Sequence, residues 1–119
     1  MLVETLRNTL MHFEDGHPAI PDDPTRADLR PWRDRIDEID RVILHLLNER
    51  SRCANVIGHI KKKLALPVYA PRREEEVINN VMTANEGPLP DEAVRRLFER
   101  IIDETRSLER QKYQDQPDP

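Results

Sequence analysis

Residues 32–64 read WRDRIDEIDRVILHLLNERSRCANVIGHIKKKL, and the spacing of apolar side chains in this stretch decides the fold. With Ile36 as position a of a heptad, the a sites are Ile36, Ile43, Arg50, Ile57 and Leu64, and the d sites are Ile39, Leu46, Cys53 and Ile60. Eight of these nine are apolar or cysteine, the pattern of one long helix packed along a seam. Such a helix runs roughly 50 Å at 1.5 Å per residue. A compact domain of this size is only about 26–30 Å across. Two shorter helices cannot cover it, so an antiparallel or crossed homodimer is the simplest solution.

Prolines mark the boundaries around it. Ten prolines leave proline-free windows at 32–66, 72–87 and 91–116, and proline breaks helix interiors while tolerating first turns and loops. The spacing predicts an all-α protomer of three helices, with a leader before them and a short tail after. The second helix is expected to start near Pro71 and to present Val77, Ile78, Val81 and Met82 to the core, with Asn85-Glu86-Gly87-Pro88 as its stop. The third is expected from about Pro90 to about Lys112, with Val94, Leu97, Phe98, Ile101, Ile102, Thr105 and Leu108 as its buried stripe. Residues 1–29 form an acidic leader whose net charge of −4 equals that of the whole chain. In it, Val3, Leu6, Leu10 and Phe13 suit one short amphipathic helix, and residues 14–28 a flexible Pro/Asp linker. The domain proper is expected over 30–113, with 114–119 as a disordered tail.

Composition fits this reading and excludes others. The 119 residues admit one domain. Charged residues at 35%, aromatics at 4% and three glycines suit surface-rich helices better than sheets. An apolar share of 37% leaves little core for one protomer, which again favours oligomerisation. The net charge of −4 argues against a nucleic-acid partner. No stretch approaches 18 consecutive apolar residues, so no membrane partner is expected. Glu4 interrupts the N-terminus too early for a signal peptide, and a single cysteine excludes an intramolecular disulfide. The expected location is the reducing cytoplasm.

Several polar residues sit where apolar ones belong. Arg50 is the sole charge among the nine a and d sites, and Arg33 and Lys61 occupy e positions beside the same seam. Arg73 and Glu74 open the second helix. Thr105 lies on the apolar stripe of the third, with Glu109 one turn later on the same face. Each has an ordinary reading alone. Arg50 suits a register-setting or snorkelling residue, Arg33 and Lys61 solvated flank charges, Arg73 and Glu74 a first-turn pair. Together they suggest a cationic pocket inside a helical bundle with two carboxylates at its edge. Such a pocket suits a small dianion bearing hydroxyl or ether oxygens, since arginine matches carboxylates through its planar fork and lysine supplies a point charge. No serine–histidine or cysteine–histidine nucleophile is arranged. His12, His17, His45 and His59 lack metal-ligand spacing, Cys53 stands alone, and no glycine-rich phosphate loop is present, so neither metal nor cofactor is expected. The remaining chemistry is positioning and electrostatics.

Three pieces of the chain resemble the all-helical chorismate mutases, the bacterial type with a three-helix protomer. Arg33-x-x-Ile36-x-x-Ile39-Asp40, Leu46-Leu47-Asn48-Glu49-Arg50 and Ile57-Gly58-x-Ile60-Lys61 are similar to their long first helix. Pro67-Val68-Tyr69-Ala70-Pro71-Arg72-Arg73-Glu74 resembles the start of the second. Asn85-Glu86-Gly87-Pro88 and Leu97-Phe98-x-x-Ile101-Ile102 resemble the loop and third helix. The likeness covers about residues 30–112, and the order and spacing of the pieces make it specific.

The resemblance implies an intertwined helical homodimer that rearranges chorismate to prephenate in phenylalanine and tyrosine biosynthesis. It also implies roles. Arg50 grips a substrate carboxylate from the middle of the first helix, and Arg33 reaches into the partner's site. Lys61 hydrogen-bonds the ether oxygen and a carboxylate. Arg73 supports the site and Glu74 takes the ring hydroxyl. Thr105 and Glu109 stand where some members have serine and glutamine. Ala70 stands where an aspartate often precedes the helix, so its contact must come from the backbone, and a capping side chain of about 1 kcal/mol is missing. An ionised carboxylate cannot donate a hydrogen bond, so Glu109 must carry a proton to assist beside Lys61.

Two other readings compete. An isochorismate pyruvate lyase shares this fold and cation set, and the Ala70-Pro71 step is reminiscent of that branch, but lyases of that kind tend to carry an apolar residue where Glu74 stands. A non-catalytic helical dimer, or a regulatory subunit bound to a shikimate-pathway synthase, leaves six candidate site residues unexplained. The shared site has a direct consequence. Arg33 and Lys61 lie 28 residues apart on one helix, about 42 Å of rise, so one straight helix cannot bring both to one small ligand. Arg33→Ala and Arg50→Ala proteins, each inactive, are therefore expected to regain partial activity when mixed and refolded, because hybrid dimers contain one site with both arginines. Absence of recovery in verified heterodimers contradicts the shared site.

Overall fold

The structure, a computed structural model, describes residues 20–115. A 3-10 turn, Arg26–Leu29, leads into helix α1, Arg30–Lys63; α2 is Pro71–Ala84 and α3 is Asp91–Asp115. The described residues contain no strand. The expected all-α, three-helix order is therefore present, with α3 running three residues past Lys112. The short helix expected over Val3–Phe13 lies outside the described residues, as do 116–119 of the expected tail.

The chain divides into two units, residues 1–36 and residues 37–119. In the first, the Thr25 backbone N–H donates to the Asp28 carboxylate at 2.8 Å, and the Asp28 N–H donates to the Thr25 carbonyl at 3.0 Å. This pairing winds the turn that precedes α1, whose second residue is Pro31, a position where a missing N–H costs nothing.

The second unit holds the rest of α1 with α2 and α3. Its buried apolar residues are Ala54, Ile78, Val94 and Ile102, with Gly58 also buried on α1. A Cβ added at Gly58 would lie 3.9 Å from both Cγ and the backbone oxygen of Glu109. Small side chains at 54 and 58, one turn apart, thus admit the α3 backbone at close range. The protomer's own helix contact runs along this line, roughly a quarter turn away from the a and d seam at 100° per residue. The seam itself is left open: Leu46 is 39% exposed, Ile57 47% and Ile60 51%. On α3 the expected buried stripe needs one correction, because Leu97 is 53% exposed. Val94, Ile102 and Glu109 set the centre of the buried face, and Leu97 lies roughly 100° of rotation from it.

Two connections position the site. Asn85 ties the α2–α3 loop, donating from Nδ2 to the Leu89 carbonyl at 2.8 Å and to the Asp91 carboxylate at 2.9 Å, while its Oδ1 accepts the Gly87 N–H at 3.1 Å. Gly87 has φ +77°, which suits glycine. At the end of α1, the Leu66 N–H donates to the Lys61 carbonyl at 2.8 Å and the Ala65 N–H to the Lys62 carbonyl at 3.1 Å. These two bonds form a Schellman cap. Its left-handed residue is Ala65, at φ 56°. Glycine usually fills that place, since a Cβ in this region costs about 1–2 kcal/mol, partly offset by the greater chain entropy that glycine loses on folding. Ala65→Gly is therefore expected to stabilise the protein by about 0.5–1 kcal/mol, seen as a higher urea midpoint at unchanged slope; a lower midpoint contradicts the cap.

Candidate active site

A cavity of about 340 Å³ opens among α1, the 64–70 link, α2 and α3. Seven of the eight residues singled out in the sequence line it: Arg50 and Lys61 from α1, Ala70 from the link, Arg73 and Glu74 from α2, Thr105 and Glu109 from α3. Arg33 is not among the lining residues and belongs to the other unit, where it is exposed in the first turn of α1. Cys53, Ala54, Ile57, Val68, Val77 and Ile102 supply the apolar walls.

Lys61 is held on two sides. Its Nζ donates to the Val68 carbonyl at 3.0 Å and to Glu109 Oε2 at 3.2 Å. The Schellman cap explains the first bond: the chain reverses directly after Lys61 and brings Val68 back over its side chain. The second crosses to α3, where Glu109 is 7% exposed. A buried carboxylate needs a charge partner, and Lys61 is that partner. An ammonium has three N–H donors, so one remains for a ligand.

Arg50 Nη1 donates to Thr105 Oγ1, and the same hydroxyl donates to the Ile101 carbonyl at 2.9 Å. A threonine inside a helix commonly bonds back to the carbonyl four residues earlier, and here that leaves the oxygen's lone pair to orient an arginine. Two unrelated helices thus set the direction of one guanidinium. On α2, Ala70 precedes the helix without a side-chain cap, Pro71 fills the first position, and the Glu74 N–H closes the first turn onto the Ala70 carbonyl at 3.0 Å. Arg73 lines the cavity, but its Nη1 pairs with Glu76 at 2.9 Å, an exposed pair one turn along the same helix.

One lining residue escaped the reading of the sequence. Arg106 grips Glu74 with both arms of its fork, Nε donating to Oε2 at 2.9 Å and Nη2 to Oε1. Its Nη1 lies 3.4 Å from Asp103, and its guanidinium sits 5.2 Å over the centre of the Tyr69 ring. The hydrogen bonds to Glu74 hold this guanidinium more firmly protonated than usual; burial opposes them, and the charges of Glu74 and Asp103 add to them. In sequence Arg106 is one of many charges on α3, next to Thr105 and three before Glu109. Only the position of Glu74 on another helix distinguishes it from a solvated arginine.

Among the described residues, no helix is long and apolar enough to cross a membrane. The family described as "chorismate mutase type II" matches residues 32–110. Over 82 residues the chain is 48% identical to a bifunctional chorismate mutase/prephenate dehydratase of Neisseria gonorrhoeae, covering 69% of this chain and 22% of that protein. A chorismate mutase of Methanocaldococcus jannaschii is 31% identical over 80 residues, covering 66% of this chain and 81% of the relative. A solved structure of chorismate mutase from Thermus thermophilus superposes with a TM-score of 0.69 at 40% identity, covering 70% of this chain and 94% of that one. The chain spans less than a quarter of the bifunctional relatives it matches.

The Lys61 contacts carry a stability consequence. Lys61→Met leaves the buried Glu109 carboxylate and the Val68 carbonyl without this donor and is expected to cost about 1–3 kcal/mol. Glu109→Gln keeps an oxygen that accepts from Lys61 and is expected to cost less. Urea unfolding of the two variants checks the order, and the reverse order contradicts a lysine-centred contact.

Proposed function

The chain belongs to the type II chorismate mutase family, and we propose that it converts chorismate to prephenate by a concerted pericyclic rearrangement, within aromatic amino-acid biosynthesis in the cytoplasm. The observation that carries this reading is the convergence of Arg50, Lys61, Arg73, Glu74, Thr105 and Glu109 on one cavity, from three helices. Chorismate is a flexible dianion with a ring hydroxyl and an ether oxygen. The reaction needs no nucleophile; it needs the molecule held in a compact chair and charge on the breaking ether bond stabilised. Arg50, steadied by Thr105, grips a carboxylate. The free N–H of Lys61 donates to the ether oxygen as negative charge grows there. Glu109 steadies Lys61 as a carboxylate. Glu74 accepts from the ring hydroxyl.

The site is completed by a second copy of the chain. The α1 seam exposes Ile36, Ile39, Ile43, Leu46, Ile57, Ile60 and Leu64 together, an apolar face of the kind that marks an interface. In an intertwined homodimer this seam is covered, and the partner subunit's Arg33 supplies a second carboxylate contact.

Following chorismate and isochorismate side by side tests the assignment. Prephenate is expected from chorismate, with isochorismate left unchanged; pyruvate release from isochorismate identifies a lyase, and inertness toward both a non-catalytic dimer. In the active protein, Arg50→Ala is expected to lower kcat/KM by about 100-fold or more, the scale of losing one preorganised charge contact.

A further inference from the structure

Arg106 lines the cavity, yet no role in the rearrangement falls to it. Its fork is occupied by Glu74 at Nε and Nη2, and its remaining nitrogen faces Asp103. It therefore serves carboxylates of the chain itself, in contrast to Arg50, whose partner Thr105 is neutral. Tyr69 closes the face of the guanidinium. Glu74 and Arg106 are 32 residues apart in sequence, on different helices, and each side chain is about a quarter exposed.

We infer that Arg106 is a positioning residue that holds the Glu74 carboxylate in one orientation as acceptor for the substrate's ring hydroxyl, so that the pair selects substrates by that hydroxyl. The inference rests on the chorismate mutase reading above. A glutamate in a helix's first turn otherwise samples several rotamers, and a bidentate guanidinium removes that freedom before the ligand arrives. Each carboxylate oxygen has two lone-pair sites. Arg106 takes one on each oxygen and leaves the others for a hydroxyl. A lysine at this place would supply the charge without the fork.

The test compares chorismate with its analogue lacking the ring hydroxyl, measuring kcat and KM for the wild type, Arg106→Leu, Arg106→Lys, Glu74→Gln and the double variant Glu74→Gln/Arg106→Leu. Arg106→Leu is expected to lower kcat/KM for chorismate by roughly ten- to hundredfold, the scale of losing an oriented hydrogen bond to a charged acceptor. For the deoxy analogue it is expected to stay within about threefold of wild type. Arg106→Lys falls between, and keeps the test open if the leucine variant does not fold. In the double variant, Arg106→Leu is expected to add little to the loss already caused by Glu74→Gln, because the two act as one unit. Equal losses on both substrates, or losses that multiply in the double variant, overturn the inference and leave Arg106 as a brace between helices. A wild-type protein that leaves chorismate unchanged overturns the functional reading and this inference with it.

Discussion

Lys61 sits at the point where the three parts of the second unit meet. Its backbone carbonyl accepts the bond that closes the end of α1, and its ammonium donates to Val68 in the link and to Glu109 on α3. A buried carboxylate on α3 is tolerable only because this charge reaches it. That reach depends in turn on Ala54 and Gly58, whose small side chains let α3 lie close against α1. The position of the cavity, with α1 on one side and α2–α3 on the other, follows from these contacts.

The same arrangement explains the open seam. Helix α1 turns its small residues toward α3, and its large aliphatic side chains then face away from the protomer's own core. The buried apolar set of the second unit is accordingly short, at Ala54, Ile78, Val94 and Ile102. A domain of this size has little core of its own. Packing within the chain uses one strip of the long helix, and the strip beside it stays exposed.

The cations that line the cavity are paired with carboxylates, with one exception. Lys61 is matched by Glu109, Arg106 by Glu74 and Asp103, and Arg73 by Glu76. Arg50 is held by a hydroxyl instead, so its full positive charge faces the cavity. The paired charges give shape and hydrogen-bonding direction, while the one guanidinium held by a neutral partner gives attraction for an anion. This division of labour suits a reaction whose catalysis is positional and electrostatic.

The heptad through residues 32–64, the proline-free windows and the Gly87-Pro88 stop are local signals, and they sufficed for the number, order and approximate limits of the helices. Arg50, Thr105 and Glu109 were legible because each stands on an apolar stripe whose period is set by the helix itself, and Lys61 because it flanks one at an e position. Leu97 was misread because amphipathic spacing defines a broad face, and the contacts of Val94, Ile102 and Glu109 decide where its centre lies. The helix face carrying Ala54 and Gly58 was hidden because small residues give no hydrophobic signal; their meaning is the close approach of another helix. Arg106 was hidden because its partner lies 32 residues away on a different helix. Periodicity along the chain therefore determined which residues line up on each helix. Which of those lines meet, and which charges find each other across the cavity, was decided only by how the helices pack, since such pairings are set by distance in space and leave no regular spacing in sequence.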